Sequence, residues 1–148
     1  MANTDNNTVG FKLKQITTEQ FAIIKDAFDN TNNEISMSIG VKFGLNIDEK
    51  AIASFVKVQF EQNKKTFLIS EIANHFNIDK TAWNSFSINK DKLTLPRGFA
   101  SHLVMLTVGT LRGVLHSKTE NTEFNQFILP TINVVELIID DVELEIEK

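Results

Sequence analysis

Ile35-Ser36-Met37-Ser38-Ile39-Gly40-Val41-Lys42-Phe43-Gly44-Leu45-Asn46-Ile47 decides the fold. Every odd position is apolar and every even position is polar or glycine. A period of two places one set of side chains on each face of an extended chain, so this is a long, half-buried β-strand. No helix produces that pattern, because its faces repeat every 3.6 residues.

Outward from this strand the chain keeps the same grammar. Asp48-Glu49-Lys50 is a short connection. Residues 51–61 form another strand, with Val56, Val58 and Phe60 on one face. Gln62-Asn63-Lys64 reads as a hairpin turn, and residues 66–78 continue with Leu68, Ile72, Phe76 and Ile78 in step. Three consecutive strands joined by tight turns are antiparallel neighbours, a meander. Upstream, residues 10–24 read as an irregular strand on Phe11, Leu13, Phe21 and Ile23. Thr17-Thr18-Glu19 breaks its pattern and suggests a bulge. This strand adds to one edge of the meander, across a turn-rich loop at 25–33.

Downstream the character changes. Residues 79–95 are polar and read as a crossover loop, in which Trp83 and Phe86 are either anchors or part of a binding surface; anchors are the favoured reading. Pro96 and Gly98 open a helix that runs from Phe99 to about Lys118, with Leu103, Leu106, Leu111, Val114 and Leu115 near helical spacing. Gly109 and Gly113 share a face, and each costs a helix about 1 kcal/mol relative to alanine. The expected compensation is close approach to a second helix or to the sheet. Arg112 between them is expected either to pair with a carboxylate or to project to solvent. Residues 119–131 are a loop holding Phe124 and Phe127. Asn133 caps a short helix through Glu136 to Ile139, and Val142, Leu144 and Ile146 alternate as a strand. The fold class is α+β: a four-stranded antiparallel sheet, meander plus edge strand, with a long helix packed on one face.

Composition narrows the function. The chain has 148 residues, 42% hydrophobic and 23% charged, which suits one folded domain. It has no cysteine, so disulfides, thiolate metal sites and cysteine nucleophiles are excluded. The net charge of −4 opposes binding to a nucleic-acid backbone. Asp140, Asp141, Glu143, Glu145 and Glu147 crowd the end and read as a solvated acidic segment. Met1 to Val9 is polar and lacks the pattern of a secretory signal. No apolar stretch approaches the ~18 residues of a membrane span, so the expected location is the cytoplasm. Twelve Phe with no Tyr and one Trp are many for one core, and some of them are candidates for an apolar binding surface.

Catalytic signatures are missing. There is no glycine-rich phosphate loop, nucleophile elbow or metal-spaced histidine pair. His75 stands alone, and His102 and His116, 14 residues apart on one helix, lie roughly 21 Å from each other. The expectation is a protein that is not an enzyme and carries no cofactor or metal. An enzyme with a shallow apolar-ligand pocket is the weakest reading.

Phe67-Leu68-Ile69-Ser70-Glu71-Ile72, Phe76-Asn77-Ile78, Arg112-Gly113 and Leu129-Pro130-Thr131-Ile132-Asn133 leading to Leu137 occur in that order. With the order of elements, they resemble the SecB-like export chaperones over roughly residues 10–139. The helix before Arg112 is about a turn longer than in the bacterial export chaperone, the crossover loop is shorter, and no clear final amphipathic helix follows. The chain thus resembles a divergent, solitary member, with a disordered segment at 1–9 and one SecB-like domain over 10–148.

The resemblance implies an ATP-independent holdase that binds unfolded or extended polypeptides in apolar grooves, is linked to protein export, and assembles as a dimer or tetramer. Groove candidates are Trp83, Phe86, Phe99, Phe124 and Phe127, which lie in or beside loops. Glu71, with Ile69 beside it, matches a position through which such chaperones engage a SecA-type translocase motor. The alternative is a dedicated partner-binding protein, such as a SecB-like chaperone of a toxin–antitoxin module.

Overall fold

The computed structural model describes residues 10–146. Four long strands, β1 (Phe11–Ile23), β2 (Ser36–Asn46), β3 (Ala51–Gln62) and β4 (Lys65–Ile78), form an antiparallel sheet in the order β1-β4-β3-β2. The meander β2-β3-β4 is as the alternation requires, and β1 adds beside β4. The β3–β4 turn places both Asn63 and Lys64 at positive φ, the backbone that matches the twist of a two-residue hairpin.

β2 pairs with β3 in unbroken register from Ser36 opposite Glu61 to Asn46 opposite Ala51. β1 is different: its register against β4 slips between Leu13 and Gln15 and again between Thr18 and Gln20. Two bulges therefore twist the β1 edge, a device that blunts unwanted pairing. The β2 edge carries none.

Helix α2 (Arg97–Thr119) lies across β3 and β4 and buries Ala100, Leu103, Val104, Val108, Leu111 and Leu115 against Ile52, Val56, Val58, Leu68, Ile72 and Phe76. Each such Leu or Ile contributes about 1.5–3 kcal/mol by leaving water. By length and composition α2 reaches the apolar character of a membrane-crossing helix, with a mean hydropathy of 1.3 over 18 residues. This corrects the expectation that no stretch comes near that threshold; here 39% of that stretch is buried on the sheet. Pro96 offers no side-chain cap. Instead Asp141 Oδ1 accepts the Arg97 backbone N–H at 2.8 Å, placing a carboxylate at the positive end of the helix.

The crossover at 79–95 is not a loop. Asp79 caps a short helix α1 (Lys80–Asn84), followed by β5 (Ser87–Asn89) and β6 (Lys92–Leu95). After α2 comes a single turn α3 (Val134–Leu137), capped by Asn133 as expected, and then β7 (Val142–Glu145). β5, β6 and β7 make a second antiparallel sheet in that order. Leu93 and Leu95 alternating behind Lys90-Asp91 were its sequence signal, and Lys90 takes the positive φ of the turn. The expectation of disorder at 1–9 lies outside the described residues.

Two aromatic clusters absorb most of the phenylalanines. Phe28, Phe60, Phe67, Phe124 and Phe127 pack with ring centroids 4.8–6.5 Å apart at one end. Phe11, Phe76, Phe86, Phe99 and Trp83 chain together at 5.4–5.9 Å at the other. Edge-on and tilted pairs of this kind add to simple burial. The phenylalanine count is thus largely a core property.

Candidate functional site

One helix cannot cover a four-stranded sheet. A helix with its side chains is about 10 Å across, and four strands spaced about 4.8 Å span nearly twice that. α2 covers the two central strands, and the inward-facing residues of the outer strands stay partly open. On β1, Leu13 and Ile16 are about half exposed. On β2, Met37, Ile39, Val41, Phe43 and Leu45 face inward in register with Phe60, Val58, Val56, Ser54 and Ile52, yet none is fully buried.

The β2 side is shaped further by the C-terminal segment. A groove of about 510 Å³ runs between β2 and that segment, lined by Ile39, Val41, Phe43, Leu137, Val142 and Leu144, with Ile138 at its base. Lys42 and Glu143 stand at its rim. Both flanking strands are edges: β2 pairs only with β3, and β7 only with β6, among the described residues. The groove therefore combines apolar walls with two strand edges that hold unpaired backbone groups.

Both arginines of the chain fix the far wall. Arg112 donates from Nε to Leu129 O at 2.8 Å and from Nη2 to Pro130 O at 2.7 Å. Arg97 donates from Nε to Ile138 O at 2.8 Å and from Nη2 to Val135 O at 3.4 Å. Residues 129–141 are thus strapped back along α2 through their carbonyls. Arg112 meets neither expectation: it is not paired with a carboxylate and not free in solvent. Its planar fork suits two neighbouring carbonyls, which a lysine could not span.

The five aromatic groove candidates lie elsewhere. Trp83, Phe86 and Phe124 are buried in the core, and Phe99 and Phe127 are half-buried in the two aromatic clusters. The premise that core packing does not need them is corrected, and the anchor reading of Trp83 and Phe86 agrees with their burial. Phe86 closes the turn after α1, its N–H donating to Trp83 O at 3.0 Å. None of the five lines the β2 groove.

Ile69 and Glu71 do share one face of β4, the sheet face away from α2. Ile69 is buried between Ala22 and Gln59, and half-buried Glu71 sits between Gln20 and Lys57. Gly109 and Gly113 contradict the close-approach reading within this chain: a β-carbon on either would meet nothing within 4 Å. They lie on the exposed side of α2 with Met105 and Leu106.

The groove residues escaped the sequence reading for a physical reason. The inward alternation of β2 marked Ile39, Val41 and Phe43 as core, and only the width of the sheet against the helix shows that they are incompletely covered. The signal that could have found them is one helical stripe facing four apolar strand faces. Among the described residues no cluster of three His, Asp or Glu is placed to hold a metal ion. No protein-family model matches the chain, and no curated protein matches it either.

Proposed function

We propose that this protein is a polypeptide-holding, SecB-like chaperone that seats an extended apolar segment in the groove between β2 and β7. One observation carries the reading: two unpaired strand edges flank an apolar groove. An extended chain laid there hydrogen-bonds to an edge through its backbone and buries alternate side chains against Ile39, Val41, Phe43, Val142 and Leu144. Backbone pairing is indifferent to sequence, and apolar contact is nearly so, which is the combination a holdase needs. The unbulged β2 edge, against the twice-bulged β1 edge, supports β2 as the docking strand. Export linkage, a motor contact at Glu71 and self-association rest on the sequence resemblance alone.

The test is aggregation of a chemically unfolded model protein, followed by light scattering with and without this protein at equimolar ratio and without ATP. Suppression is expected, together with its loss in Val41→Lys, which puts a charge on the groove wall. A well-folded protein that suppresses nothing sinks the holdase reading. A second reading has its own observation. β7 is only four residues long, so the doubly flanked stretch is short, which favours one cognate segment, as in a toxin–antitoxin-associated chaperone. One tight partner, with no general suppression, selects it.

A further inference from the structure

β2 is an edge strand, and little blunts it. β1, the other edge of the large sheet, is twisted by two register slips and carries Lys12, Lys14 and Glu19. β2 runs from Ser36 to Asn46 in unbroken register, with no bulge and no proline, and holds one charge, Lys42. That charge is drawn aside: its ammonium lies over the Phe55 ring of β3, 4.9 Å from the centroid. An edge left in this state is a template for pairing with another strand.

The strand is also complementary to itself. Antiparallel pairing of two copies about a two-fold axis uses all 11 residues of β2 only when the axis passes through its middle residue, Val41. Each odd-numbered residue then faces an odd-numbered one, so both apolar faces stay on the same side of the joined sheet. Ile39 meets Phe43 of the copy, Met37 meets Leu45, and Val41 meets its own counterpart. These are the inward residues that α2 leaves partly open. On the opposite face Lys42 meets Gly40 of the copy, where a β-carbon would touch nothing within 4 Å. The lysine stem therefore finds room, and no like charges stand directly opposite one another.

We propose that β2 pairs with β2 of a second copy, antiparallel about Val41, and joins the two four-stranded sheets into one. The edge gives self-association a surface independent of the resemblance. One strand is a small interface, so the dimer is reversible and concentration-dependent. The same edge is the docking strand proposed for clients, so copy and client exclude each other. That consequence rests on the holdase reading; the dimer itself does not.

Analytical ultracentrifugation of the full chain, with no client present, gives the dimer dissociation constant. Gly40→Glu places a carboxylate opposite Lys42 of the copy, twice by symmetry, and should tighten the dimer about tenfold. Gly40→Lys places like charges there and should loosen it about tenfold. Lys57 on β3 also flanks position 40, but it acts in monomer and dimer alike and cancels from the constant. Both substitutions enter open space, and thermal unfolding checks that each variant is folded. Register is read separately. The chain has no cysteine, so a nitroxide on Ser38→Cys is unique. Ser38 lies six residues from Gly44, its partner in this register, so two labels should sit about 20 Å apart along the strands at about 3.4 Å per residue. A protein that stays monomeric at every concentration overturns the proposal. So does a dimer indifferent to both Gly40 variants, one lost on Leu106→Glu in the exposed face of α2, or a label distance that fits another register. None of these results bears on client holding, which the scattering assay tests by itself.

Discussion

Arg112→Met keeps the length of the side chain and removes its two hydrogen bonds to Leu129 O and Pro130 O. A hydrogen bond from a charged donor is worth about 1.5–3 kcal/mol net. The two carbonyls do not suffer equally. Pro130 is exposed, so its carbonyl regains water, whereas Leu129 is 1% exposed and its surroundings stay dry. Allowing about 2 kcal/mol for the Leu129 bond and about 1 for the other gives a loss of about 3 kcal/mol. Arg112→Lys keeps the charge but reaches one carbonyl at a time, and should lose about half as much. Equilibrium urea unfolding reads both. With a slope of about 2 kcal/mol per molar, the Met variant should unfold roughly 1.5 M earlier and the Lys variant roughly half that. Hydrogen exchange should quicken first at Glu136 and Ile138, whose amides close the α3 turn onto Asn133 O and Val134 O. A Met variant that unfolds within about 0.2 M of the parent refutes the strap argument. Equal losses for Met and Lys refute the part that rests on the two-pronged guanidinium.

Other perturbations test neighbouring parts of the fold. Gln62, 2% exposed, accepts from Asp29 N and donates to Asp29 O and Asn32 O at 2.8–2.9 Å; Gln62→Leu should cost about 2–3 kcal/mol in urea unfolding and free the loop carrying Phe28. Gly109→Ala adds a methyl to open space on α2 and should stabilise the chain by about 1 kcal/mol, read as a raised Tm; a lower Tm would show that this face is covered in solution. Hydrogen bonds from the hydroxyl and then the backbone N–H of Thr31 hold the Asp29 carboxyl below its ordinary pKa. Its folded-state pKa lies below the unfolded one, so its contribution is present above the unfolded value and fades as pH falls through the folded one. In Thr31→Val a carbon-detected titration should place the Asp29 carboxyl nearer its ordinary value.

The sequence by itself determined the large sheet and the long helix. Strict alternation from Ile35 to Ile47 and the turn at Asn63-Lys64 left one arrangement of the meander, because side-chain period and turn geometry are local properties. Asn133 as a cap was legible for the same reason. The second sheet was not, because β6 pairs with β7, nearly fifty residues later, and three- and four-residue strands carry too little pattern to declare a distant partner. Arg112 was not resolved, left between a carboxylate partner and open solvent, because its partners are the backbone carbonyls of Leu129 and Pro130, which every residue carries and no sequence marks. The aromatic rings looked spare because loops are read as surface, yet Trp83, Phe86 and Phe124 fold back into the core. Only the tertiary structure decided the groove, since whether Ile39, Val41 and Phe43 are covered depends on how many strands one helix can span. It also decided the polar surroundings of His75 on the sheet face away from α2, where two register slips in β1 bring Thr17, with Glu19 hydrogen-bonded to it, beside the imidazole and set Lys14 against Glu49 of the β2–β3 turn, a convergence set by strand order rather than by spacing along the chain.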